Sequence, residues 1–319
     1  MLTVLFATRN RWSLLGDVLE SYCHLQPPSA GWKLVVVDNA SSDQTERVLA
    51  SFADRLPLQS VIETRLGKNH ALNTGLQLVE GDLTVLTDDD VFPRVDWLVQ
   101  LRHAADTYPE YSIFGGAIVP RWEVCPPNWT EWLDLGPIFT ITPPSMPDGE
   151  LAGPRVTMVQ GPNMAIRSSV FRSGVRFDPS IGPCGSSYPM GSETEILLRL
   201  SRQGHRAWHV RGAVVEHFVR SEQLTKPWIL QRAIRYGRGW CRMAPNPKLW
   251  MGIPRHLFRD IPRVAVSMAR AFVFCRWDAL LRAHWHLNFL RGMAIEARIL
   301  THERRTPVQG GFTAPEEEP

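Results

Sequence analysis

Three consecutive carboxylates, Asp88, Asp89 and Asp90, follow the apolar run Leu83-Thr84-Val85-Leu86-Thr87. Like charges packed this closely repel, and the crowding becomes tolerable when a divalent cation or another positive partner compensates it. Mg2+ or Mn2+ takes one or two protein carboxylates and completes its shell with water and phosphate oxygens. A solvated acidic turn is the plain alternative. The place of the triplet at the carboxyl end of a strand favours chemistry. A further carboxylate, Asp38, ends the run Leu34-Val35-Val36-Val37, where it can accept hydrogen bonds from a nucleobase or ribose. Ser41, Ser42 and Asp43 just beyond it read as helix-capping residues. Gly67-Lys68-Asn69 enters a helix and can offer a backbone N–H and an ammonium to phosphate. It lacks the earlier glycine and the following Ser/Thr of a P-loop.

The elements that must position these groups are legible as alternating apolar runs and helical periodicities. Strands are expected at Leu2 to Ala7, Leu34 to Val37, around Val61-Ile62 and at Leu83 to Thr87. Between them fall a helix with Leu14, Leu15, Val18, Leu19 and Tyr22 on one face, a helix from Thr45 to Phe52, and a helix from about Asn69 to Leu78. Continuous apolar strands alternating with helices predict an α/β fold with a mostly parallel sheet flanked by helices, and its ligands bind beyond the carboxyl ends of the strands. A strand at Ile113 to Val119 follows. The Pro-, Trp- and Gly-rich stretch 120–154 then reads as a long irregular excursion over the site. Regular structure returns at 156–166, as a helix near 192–203 and as a strand near 207–216.

Taken in order, Thr8-Arg9-Asn10-Arg11, Val-Val-Val-Asp-Asn-Ala-Ser-Ser-Asp, Gly-Lys-Asn-His-Ala-Leu-Asn-Thr-Gly and Thr-Asp-Asp-Asp resemble the family-2 glycosyltransferases of the GT-A fold. The resemblance continues through Gly161-Pro162-Asn163-Met164-Ala165-Ile166-Arg167, Gly191-Ser192-Glu193-Thr194-Glu195 and Glu216-His217, and it covers about residues 1–220. It implies an activated sugar donor of the UDP, GDP or dTDP type, Mg2+ or Mn2+, and attack by an acceptor hydroxyl with inversion. Carried over, Asp38 resembles the base-binding aspartate, Thr8 and Arg11 lie beside the nucleoside, and Lys68 lies near the ribose or diphosphate. Asp88-Asp89-Asp90 matches the D-x-D element, with Asp90 on the metal and Asp88 on ribose or metal-bound water. Asn163 is placed in the sugar and acceptor pocket. His217 resembles the late histidine that joins metal or diphosphate, beside the plain reading of a structural histidine. The deprotonating carboxylate is assigned to Glu193, where relatives carry Asp after a Glu and this chain has Ser192-Glu193. Glu195 is the rival base. The two lie about 200° apart on a helix and cannot both face the pocket.

The rest of the chain bounds this reading. The hydrophobic fraction of 44% and charged fraction of 21% fit a folded globular chain, and a net charge of +3 is too small to imply a nucleic-acid partner. Five scattered cysteines, none in a CxxC pair, fit a reducing compartment and argue against a disulfide framework or a zinc site. No signal peptide and no apolar run of membrane-spanning length is read, so a cytoplasmic protein is expected, peripheral on the inner face of the membrane if it associates with one. The expected organisation is a GT-A-like domain over 1–222, a helical, basic and aromatic C-terminal extension over 223–306, and a disordered tail over 307–319. The extension interleaves Arg232, Arg235, Arg238 and Arg242 with Trp228 and Trp240. This pattern suits an anionic membrane surface, and equally a helical lobe packed on the catalytic domain. The acceptor expected is a glycan, a lipid-linked sugar or a secondary metabolite. Two alternatives stand beside it: a sugar nucleotidyltransferase, against which no Gly-rich signature follows the first strand, and a non-catalytic sugar-nucleotide-binding relative.

Overall fold

The computed structural model describes residues 1–185, 187–244 and 248–305; the expected disordered tail over 307–319 lies outside them. Residues Leu2 to Ala7 alternate so that Leu2, Val4 and Phe6 face one side of the first strand while Leu5 and Ala7 face the other. Both sides meet helices, which is why the run is apolar throughout rather than alternating with polar residues. The strands are β1 (Leu2–Thr8), β2 (Trp32–Asp38), β3 (Leu58–Ile62), β4 (Leu83–Leu86), β5 (Val91–Pro93), β6 (Ile113–Trp122), β7 (Gly149–Glu150), β8 (Met164–Arg167) and β9 (Ala207–Val219). They form one sheet in the order β3-β2-β1-β4-β8-β6-β9-β5, with β7 also on β9.

The parallel arrangement expected from the sequence holds for β3, β2, β1 and β4. Beyond β4 the sheet is mixed: β8 is antiparallel to β4 and β6, whereas β6 and β9 run parallel. The regular stretch expected over 156–166 is mostly two 3-10 turns, with β8 only at its end.

The helices are α1 (Trp12–Cys23), α2 (Thr45–Ser51), α3 (Lys68–Gly75), α4 (Trp97–Thr107), α5 (Leu135–Phe139), α6 (Ser168–Arg172), α7 (Ser192–Arg202), α8 (Lys226–Met243), α9 (Leu257–Val273) and α10 (Trp277–Arg305). On one face of the sheet, α1 and α4 bury Leu15, Leu19, Tyr22, Trp97 and Leu101; on the other, α3 and α7 bury Leu72, Ile196, Leu197 and Leu200. The basic C-terminal segment is a helical lobe in which α8 packs along α10. At that crossing Arg238 and Arg242 both bond the fully buried Glu296. None of the described helices is long and apolar enough to cross a membrane.

Candidate active site

The carboxyl ends of β1, β2 and β4 open into a cavity of about 550 Å³. Its floor is the Asp88-Asp89-Asp90 segment. Its walls include the entry to α3, the entry to α7, the end of β9, the first turns of α8 and the segments around 136–140 and 157–162. The three aspartates are separated by their partners. Asp88 accepts a hydrogen bond from Lys68 Nζ at 2.6 Å. Asp89 accepts one from Thr8 Oγ1 at 2.8 Å and lies 3.9 Å from Arg11. Asp90 is met by His217 at 3.5 Å, Arg220 at 3.7 Å and Arg11 at 4.0 Å.

These surroundings set the charge on each. Burial and the neighbouring Asp90 push Asp89 up to about 6, against the pull of Arg11 and Thr8. Burial acts upward on Asp90 as well, but His217, Arg11 and Arg220 outweigh it and hold the carboxyl down at about 2. Asp88 is raised by burial and by the charges of Glu193 and Asp90, against the opposing pull of Lys68.

Lys68 binds two carboxylates at once, since its Nζ also donates to Glu193 Oε1 at 2.9 Å. Burial disfavours the ammonium, but the two acids win and raise its pKa above the ordinary lysine range. Glu193 is correspondingly held below the usual glutamate value: burial acts upward, and Lys68 more than offsets it. Helix geometry separates it from Glu195 as expected. Glu195 is paired with Arg199 at 2.9 Å, and Arg199 in turn donates to the Arg176 carbonyl, so Glu195 is engaged away from the cavity.

Asp90 and His217 are the residues that could hold a divalent ion. His217 Nδ1 lies 2.7 Å from the Phe139 carbonyl, which can only accept, so Nδ1 carries the proton. In the neutral ring this leaves the Nε2 lone pair facing Asp90, the arrangement by which an outer carbonyl orients a metal-binding histidine. Among the described residues no three His, Cys, Asp or Glu side chains converge into a protein-only cage. A carboxylate and an imidazole nevertheless fit an ion that draws most of its shell from water and phosphate.

Other expected site residues are placed differently. Asp38 is nearly buried, and its Oδ1 accepts from the Ser41 amide; it adjoins the cavity through Asn39 without lining it. Asn163 is not a lining residue. Its side chain is fully buried and committed, accepting from Trp97 Nε1 at 2.8 Å and donating to the Ala117 and Ala213 carbonyls at 2.9 and 2.8 Å. It thereby pins the bulge at which the β6–β9 register shifts, upstream of the residues that carry His217. Ser41, Ser42 and Asp43 are structural, as their capping reading had it: Asp43 takes the Thr45 amide, and the two serines bond Asn10.

Sequence reasoning missed Asn39, whose amide ties the Glu63 and Arg65 carbonyls and the Gly67 N–H and so shapes the approach to Lys68. It also missed Arg220, and it left the segment of Arg232 and Trp228 level between a membrane surface and a packed lobe, without assigning either residue to the cavity that both line.

The sequence profile of glycosyl transferase family 2 matches residues 3–174, just over half of the chain. The chain belongs to that family. This glycosyltransferase is 24% identical over 208 residues to a glucosyl-dolichyl phosphate glucuronosyltransferase of Haloferax volcanii, the match covering 64% of this chain and 65% of the relative. It is 28% identical over 103 residues to a beta-monoglucosyldiacylglycerol synthase of Trichormus variabilis, covering 31% of this chain and 22% of that one. The chain thus spans less than two thirds of either relative. Among solved structures, the glycosyltransferase superposes on the mannosyltransferase PcManGT of Pyrobaculum calidifontis in complex with GDP-Man and Mn2+, with a TM-score of 0.63, 21% identity and coverage of 92% and 86% of the two chains. It also superposes on S. aureus TarS 1-349 in complex with UDP-GlcNAc, with a TM-score of 0.54, 13% identity and coverage of 95% and 91%. At these identities the likeness establishes the shared GT-A-like fold.

Proposed function

We propose that this glycosyltransferase moves a sugar from a nucleoside-diphosphate-sugar donor to an acceptor hydroxyl with inversion, using Glu193 as the base and a divalent ion at Asp90 and His217. The observation that carries the reading is the Lys68 bridge: one ammonium joins the D-x-D segment to Glu193, so the phosphate-binding and deprotonating groups share one cavity. The fold neighbours solved with GDP-Man and Mn2+ and with UDP-GlcNAc support a donor of this class.

In this mechanism Thr8 and Arg11 fix Asp89 beneath the donor, and Lys68 turns from its two carboxylates to the incoming diphosphate. That exchange frees Glu193 from its strongest cationic neighbour and restores its basicity. The acceptor O–H proton passes to the Glu193 carboxylate as the oxygen bonds the anomeric carbon. The bond from that carbon to the diphosphate oxygen breaks, and the diphosphate leaves with the electron pair. A divalent ion bound at Asp90 and His217 would neutralise charge gathering on the departing phosphates. Arg220, beside Asp90, is placed to do the same from the protein.

The acceptor class proposed is glycan, lipid-linked or metabolite, and the exposed Phe258, Val266, Phe272 and Val273 of α9 support residence at a membrane surface. The experiment that tests the reaction class is product analysis with UDP-, GDP- and dTDP-sugars in the presence of Mg2+ or Mn2+. Release of a nucleoside diphosphate is expected. Release of pyrophosphate would transfer the case to a sugar nucleotidyltransferase.

A further inference from the structure

Arg232 lines the cavity from the second turn of α8. Its Nε and Nη2 donate to the Pro137 carbonyl and to Thr140 Oγ1, both at 3.3 Å, the long end of the hydrogen-bond range. No described carboxylate pairs with it, whereas Lys68, Arg11 and Arg220 are all engaged by the aspartates or by Glu193. Burial pulls its pKa below the ordinary arginine value. Because a guanidinium does not discharge, that cost persists until an anion arrives.

Two observations say where such an anion would sit. Gly161, the residue after Gln160, packs against Glu193, where an added Cβ would fall 2.5 Å from Oε1, and Gln160 reaches Gly136, next to the Pro137 carbonyl that Arg232 holds. Arg232 and Gln160 thus line the cavity between Glu193 and residues 136–140, and Arg232 feels the fields of both Glu193 and Asp90. Gln160, another lining residue close to Gly136, buries an Oε1 that no donor meets. Trp228, one turn before Arg232, stacks on Phe139 and lies 5.4 Å from the guanidinium, walling this corner with aromatic surface.

We propose that Arg232 seats an oxyanion carried by the acceptor, a phosphate or a carboxylate, in a subsite separate from the donor diphosphate, with Gln160 taking a hydroxyl of the same molecule. The proposal rests on the sugar-nucleotide reading of the cavity. Its test is calorimetric titration of inorganic phosphate, and separately of acetate, into protein saturated with the nucleoside diphosphate it binds and with Mg2+. One of the two anions should bind the loaded wild type, and which one does so identifies phosphate or carboxylate as the acceptor's charge. Affinity should fall at least tenfold in Arg232→Gln and recover in part in Arg232→Lys, while nucleoside diphosphate affinity, which also reports folding, stays within twofold in both.

Anion binding that is unchanged in both variants marks an adventitious ion only and overturns the subsite. So does the absence of anion binding to loaded wild type. Loss of nucleoside diphosphate affinity in a folded Arg232→Lys protein would reassign the arginine to the donor. A wild type that binds no nucleoside diphosphate would sink the wider reading itself, an outcome visible before any anion is added.

Discussion

Glu193 reaches the cavity because Gly191, in the left-handed region at φ 114°, starts α7 abruptly and puts the second helical residue over Gly161. The added methylene, relative to the aspartate of the resemblance, spans to Lys68. Replacing the carboxylate with an amide keeps that reach and removes the proton acceptor. Glu193→Gln is expected to lower kcat by 10²- to 10⁴-fold while leaving donor Kd within a few fold. Steady-state kinetics with a donor-binding isotherm checks this, and full activity in the variant would remove Glu193 as the base. At this scale Lys68, Asp88, Asp89 and Asp90 were marked because charge next to an apolar run or a helix start is locally conspicuous, whereas Glu193 was marked by the family resemblance. It misplaced Asn163, since a buried amide saturated by Trp97 and two carbonyls of other strands reads in one dimension like a pocket amide. Arg220 and Arg232 were hidden for a related reason. In a segment with many arginines, only the tertiary fold selects which ones turn inward.

The first four strands and the helices between them were legible because runs buried on both faces are continuous and helical faces repeat at 3.6 residues. Strand direction was not: β8 is three buried residues and a half-buried arginine, a run that would read the same in either orientation. The role of α8 was also out of reach, because it depends on how closely two backbones approach. Gly239 of α8 lies against the residue before Gly191, where a Cβ would fall 1.5 Å from the Met190 carbonyl oxygen, and the Met190 N–H donates to the Arg235 carbonyl. The helix thus braces the start of α7. Gly239→Ala is expected to destabilise by about 1–3 kcal/mol through overpacking, and by displacing the base it should lower kcat as well. Gly16 of α1 has nothing within 4 Å of an added Cβ, so Gly16→Ala should instead stabilise, by about 0.4–1 kcal/mol. Urea denaturation of both variants separates these signs; equal effects would mean that α8 is not seated on Met190.

At the scale of the whole molecule, the C-terminal helices both close the cavity and present a bare surface. Leu257, Val264 and Ala271, seven residues apart, are the buried stripe of α9. Phe258, Val266, Phe272 and Val273 are exposed and fall within about 120° of one another at 100° per residue, roughly opposite that stripe. Arg259, Arg263 and Arg270 run along one edge of that face, and Phe274 and Trp277 extend the exposed apolar corner toward α10. An apolar face bordered by arginines matches the interface of an anionic bilayer. The two readings that the sequence left level are therefore compatible here: α8 and α10 pack as a lobe, and α9 carries the surface. The protein is expected to co-float with vesicles rich in anionic lipid and not with neutral ones, and Phe272→Glu with Phe274→Glu should abolish flotation without changing donor binding. Wild-type protein that stays at the bottom of the gradient with anionic vesicles would contradict the membrane reading.

The linkage between metal, nucleotide and Asp90 is tested most directly by thermal shift, because a ligand that binds only the folded state raises its melting temperature. With UDP-, GDP- and dTDP-sugars screened against Mn2+, one donor should raise Tm together with the metal by more than either does alone. That joint gain should vanish in EDTA and in Asp90→Asn. An equal shift with the metal chelated, or a metal-dependent gain that survives in Asp90→Asn, would contradict the placement of a divalent ion at Asp90.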